Sequence, residues 1–122
     1  MRTDLTRVIA GSQVRGVVTI GALDEMIGTA TWDGFMRALL LGDPRTVRAT
    51  LRATLRAAGD LRPLDIEAEA ARLIEEGGVA TCAEFCAVLV QDAIDKAETA
   101  RKNSPAAAPQ GEVTAAPETT GA

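Results

Sequence analysis

The sequence predicts a mainly α protein, a small bundle of four to five helices with a short β-hairpin as the candidate element in front. Three observations point there. Apolar residues are 47% of the 122-residue chain while aromatics are only 2% (Trp32, Phe35 and Phe85), so the core must be aliphatic and rich in alanine and leucine, both good helix formers. From about residue 20 onward the apolar residues recur at helical spacing. Glycines follow the periodic stretches at 28, 42, 59 and 77–78, where helix ends are expected.

The elements follow in order. Residues 6-TRVIAGSQVRGVVTI-20 hold two β-branched runs around 11-GSQ-13, the pattern of a hairpin in which Gly11 can supply a positive φ. Such a ribbon is marginal alone and must lie on helices. Residues 20–27 read as a short helix closed by Gly28. Thr31 can cap a second helix, 32-WDGFMRALLL-41, which Gly42 ends. Asp43 followed by Pro44 restarts the chain as a helix, since the carboxylate accepts from free first-turn amides and proline lacks an amide there. That helix runs to Ala58 with Val47, Leu51 and Leu55 inward. Asp65 is expected to cap a helix carrying Ile66, Ala70, Leu73 and Ile74, ended by 77-GG-78. Thr81 and Glu84 have capping-box spacing for a last helix over about 82–99, with Cys82, Phe85, Cys86, Leu89 and Ala93 on its core side.

One domain over residues 1–100 is expected. Residues 101–122 are expected to form a disordered tail, since 104-SPAAAPQGEVTAAPETTGA-122 has too little apolar surface to offset the entropy of ordering. A core poor in large side chains fits a protein that completes its burial against a partner.

Composition also narrows the chemistry. Histidine and tyrosine are absent, which removes the commonest general base and zinc ligand and the phenol acid. Cys82 and Cys86 stand at i and i+4, but no other cysteine or histidine completes a zinc site, and a disulfide between them would strain a helix. They read as small buried hydrophobes, and no cofactor is expected. No apolar run nears the ~18 residues of a membrane helix, and Arg37 interrupts the richest stretch, 35-FMRALLL-41. With no leader-like apolar run after Arg2, Asp4 and Arg7, a cytoplasmic location is expected. Adjacent carboxylates such as Asp24/Glu25 and Glu75/Glu76 splay around a helix, so an enzyme is not expected. The glycines 11, 16, 21 and 28 form neither a dinucleotide fingerprint nor a P-loop.

Two features remain as candidate sites. Arginines 45, 48, 52 and 56 form a stripe along one flank of the 44–58 helix. Residues 1–62 carry nine Lys/Arg against six Asp/Glu, and residues 63–122 four against eleven. The stripe therefore reads as a solvated flank, as docking onto the acidic segments 65–76 and 92–98, or as contact with an acidic partner. The alternative is a small DNA-binding regulator reading duplex with the 44–58 helix. Against it stand the sequence pI near 4.8, the lack of Asn, Gln or Lys base readers in the stripe, and the lack of stacking aromatics. The second feature is the apolar helix holding Trp32, Phe35, Met36, Leu39, Leu40 and Leu41, which is either core or a ridge for a partner helix.

The order of these segments resembles a known family. The β-rich start, 19-TIGALDEMIG-28, 35-FMRALLLGD-43, 55-LRAAGD-60 and the closing 63-PLDIEAEAARLIEEGGVATCAEFCAVLVQDAI-94 are similar to the small tail assembly chaperones of tailed phages, in the type found in gene transfer agents and prophages. The resemblance spans about residues 14–95 and rests on patterned hydrophobics and glycines. It implies a non-enzymatic assembly factor that binds the long, helix-rich tape-measure protein, with the tail tube protein and self-association as further expected contacts. It supplies no catalytic residues. The binding positions expected from the sequence itself are Trp32, Phe35, Met36 and Leu40 for apolar contact and Arg48, Arg52 and Arg56 for acidic groups.

Overall fold

A computed structural model describes residues 2–103. An antiparallel hairpin, β1 (Arg2–Ile9) and β2 (Ser12–Thr19), precedes five helices: α1 (Ile20–Ile27), α2 (Trp32–Leu40), α3 (Pro44–Ala58), α4 (Pro63–Gly77) and α5 (Val79–Asn103). The expected class holds. Of the segment expected to be a disordered tail, 101–122, residues 104–122 lie outside the described residues, while 101–103 belong to α5, which runs past the boundary expected near residue 100.

The hairpin is longer and tighter than the sequence suggests. Strand pairing begins at Arg2↔Thr19 and ends at Ile9↔Ser12, so the loop is Ala10–Gly11 rather than 11–13. Both loop residues have positive φ, 54° and 77°, the signature of a type I′ turn, whose twist matches that of the strands. Thr3, Leu5, Arg7 and Ile9 share one face with Val14, Gly16 and Val18, and this face meets α5. The contact at Gly16 is so close that a Cβ would stand 2.7 Å from Leu89 and 3.0 Å from the Phe85 ring. The buried Thr3 hydroxyl donates to Asp92 and receives a 3.2 Å bond from Lys96 Nζ, tying β1 to α5.

Helix α3 is the hub, touching β2 and every other helix. Val47, Thr50, Leu51, Ala53, Thr54 and Leu55 are buried, so more than half its circumference faces the interior. Its start is as expected: Asp43 accepts from the Thr46 amide at 3.1 Å and hydroxyl at 2.8 Å. Thr31 likewise caps α2 through the Gly34 amide. Thr19 is at once the last residue of β2 and the cap of α1, which turns the ribbon directly into helix.

Two helix starts differ from expectation. Helix α4 begins at Pro63, and Asp65 lies inside its first turn, held 2.9 Å from the Arg62 guanidinium, rather than capping it. Helix α5 begins at Val79, so Thr81 and Glu84 are helical residues and not a capping box. The Gly77–Gly78 pair makes so sharp a junction possible. Gly78 takes φ 92°, and a Cβ on Gly77 would fall 2.6 Å from the Ile9 side chain. One glycine supplies a backbone angle and the other supplies space for the hairpin.

Candidate functional site

Three of the four arginines in the stripe, Arg48, Arg52 and Arg56, are paired within the chain. Arg48 and Arg52 both grip Glu67 of α4, the latter at 2.9 Å, and Arg56 pairs with Glu25 of α1. The two Arg48 and Arg52 bonds hold the Glu67 carboxyl below its usual range, the Arg52 bond most strongly. Docking to the 65–76 segment is therefore met at Glu67. Segment 92–98 takes no part, and Glu25 is an anchor that charge counting along the sequence did not single out. These side chains are about half exposed, so the pairs set the register of α3 against its neighbours more than they stabilise it.

The cysteines are buried, free and adjacent in the core. Desolvation pushes both thiols above their ordinary value, Cys86 by far the more, so neither is a ready nucleophile or ligand. Among the described residues no three His, Cys, Asp or Glu side chains converge as a metal site. Among them too, no helix is long and apolar enough to cross a membrane.

The expected apolar contact residues divide. Phe35 is sealed in the core together with Leu39, because α2 lays this side against α5 and α3. Trp32 and Met36 are half-buried on the core's edge, with the Trp32 ring 6.0 Å from that of Phe35. Only Leu40 of the four is open, at 68% exposure, and Leu41 beside it reaches 80%. Phe35 is thus a packing residue rather than a contact. Leu41, noted in the sequence only as part of the apolar helix, joins the open surface instead.

Leu40 and Leu41 form one lip of a groove of about 290 Å³ between the end of α2 and α5. Ala80, Ala83, Ala87 and Val88 line the α5 wall and Leu39 closes the base, with Glu84 as the one ionisable group. Val88 is 41% exposed. The sequence signal for this wall is Ala80, Glu84 and Val88 at i, i+4 and i+8, which the stronger apolar pattern of the inward face of α5 overshadows. Small alanines on the wall leave room for a side chain from outside.

A second cavity, of about 320 Å³, lies between the hairpin and the α3–α4 loop. Arg15 on its lining spends its guanidinium on Asp60 at 3.0 Å and on the Ala58 carbonyl at 3.1 Å. Its polar groups serve to fasten β2 to the end of α3. No protein-family model, no curated protein and no solved structure matches the chain.

Proposed function

We propose that the chain is a non-enzymatic assembly chaperone of the tailed-phage type, in the variety found in gene transfer agents and prophages. It binds a tape-measure protein and keeps that long helical chain soluble while the tail tube assembles around it. The observation that carries this reading is the open leucine pair at 40–41 above an apolar groove, on a bundle whose charged groups are largely paired internally. A short helix that spends Phe35 and Leu39 on its own core and leaves its next leucines in water suits a surface covered by another chain. The segment order that resembles the tail chaperones supports the choice of partner.

Reading duplex DNA through α3 has less support, because Arg48, Arg52 and Arg56 already hold carboxylates and would have to release them to meet phosphates. The test is co-expression with the neighbouring tape-measure protein. The expected result is a soluble tape-measure protein that co-purifies with this chain. A tape-measure protein equally insoluble with and without it would overturn the proposal.

A further inference from the structure

Two hollows adjoin the end of α2, and Leu41 and Gly42 line both. One is the groove of about 290 Å³ against α5, whose ionisable lining is Glu84. The other, about 520 Å³ and more open, is lined by Gly34, Arg37 and Ala38 of α2 and by Asp43 and Pro44 at the start of α3. Leu41 is 80% exposed and stands as the ridge the two hollows share. Asp43 is committed to the α3 cap through the Thr46 amide and hydroxyl. Arg37 and Glu84 are both exposed, and among the described residues neither side chain makes an ion pair or a hydrogen bond. One patch thus carries a protrusion, a recess and an uncommitted charge of each sign.

A two-fold contact between identical chains asks for this combination. The same surface faces itself, so each knob must find a hole, and each charge its opposite, within one patch. A two-fold axis running between the leucine ridge and the alanine wall drops Leu40 and Leu41 of each copy into the other's groove. It also sets Arg37, one turn behind Leu41, toward Glu84 of the second copy.

We infer that this face seats a second copy of the chain in an isologous dimer, with Leu40–Leu41 against the alanine wall and two reciprocal Arg37–Glu84 pairs. A partner helix with flanks of a single sign would oppose either Arg37 or Glu84, whereas a second copy satisfies both. One ridge and one groove from each copy make a small interface, so the dimer is weak and exchanging, and the monomer is the folded unit in dilute solution. The inference goes beyond the role proposed above: the second copy covers this face until a tape-measure protein displaces it.

Sedimentation velocity of the full chain over about a hundredfold range of concentration should show monomer passing to dimer and no larger species. Arg37→Glu and Glu84→Arg, each alone, set like charges opposite each other and should weaken the dimer by about tenfold or more. An equimolar mixture of these two variants should restore a dimer, since position 37 of either copy then meets its opposite at position 84 of the other. Leu41→Asp should remove the dimer. All three side chains are exposed, so circular dichroism should show the fold retained. A chain that stays monomeric, one that grows beyond a dimer, or two variants that dimerise no better mixed than apart would overturn the inference. The two proposals fail separately. A monomeric chain that still solubilises the tape-measure protein removes the second copy and keeps the chaperone, whereas a dimer without effect on that protein removes the chaperone alone.

Discussion

Two residues carry local costs that single substitutions can relieve. Ala10 holds φ 54°, a left-handed conformation that costs an L-residue with a Cβ roughly 1 kcal/mol. Asparagine tolerates this region and is favoured at the first position of a type I′ turn before glycine. Ala10→Asn should therefore raise stability by about 0.5–1 kcal/mol, measured by urea denaturation. Thr50 is fully buried in α3 with its hydroxyl unbonded, while its neighbour Thr54 donates to the Leu51 carbonyl at 2.9 Å. Thr50→Val removes an unsatisfied donor at nearly constant shape and should stabilise by about 1 kcal/mol in the same assay. Neither feature was legible beforehand. Alanine is a poor marker of positive φ, and a helical threonine's burial depends on how many neighbours its helix acquires.

At the level of elements, the hairpin depends on its approach to α5. Gly16→Ala would thrust a methyl against Leu89 and the buried Phe85 ring, and should cost about 1–3 kcal/mol in chemical denaturation. The acid limb of stability follows from carboxylates that cap a helix, pair within one, or join two. Asp43 at the α3 cap, Glu67 under Arg52 and Arg48, Glu69 under Arg72, and Asp92 under Thr3 and Lys96 all sit below their ordinary range. A carboxylate with a depressed folded pKa stabilises fully above its unfolded value and loses that contribution as pH falls through the folded one. Stability should be flat from about pH 7 to 5 and fall below about pH 4, followed by thermal melts across that range.

The helix ends were legible where chemistry marks them: Asp43–Pro44, Thr31, and the glycines at 28, 59 and 77–78. The starts of α4 and α5 were not. Pro63 at the first position competed with Asp65 as a signal, and the α4–α5 junction is too short to leave room for a cap at Thr81. The Arg48 and Arg52 pairing was foreshadowed by the charge asymmetry of the two halves. For α2, a helix apolar on most sides does not disclose which side the core will take, so Phe35 and Leu40 looked equivalent.

The whole molecule is a bundle gathered around α3 and joined by a hairpin, with an apolar groove between the end of α2 and α5. Substituting Leu40 and Leu41 together by aspartate should leave the melting temperature almost unchanged, since neither is part of the core, while abolishing co-purification of the tape-measure protein. The most direct measurement is methyl NMR of the Leu- and Val-labelled chain with the partner added. The Leu40, Leu41 and Val88 methyls should shift or broaden, with Leu51 and Leu55 of the core little affected. A complex that forms while those three methyls stay in place would contradict the account.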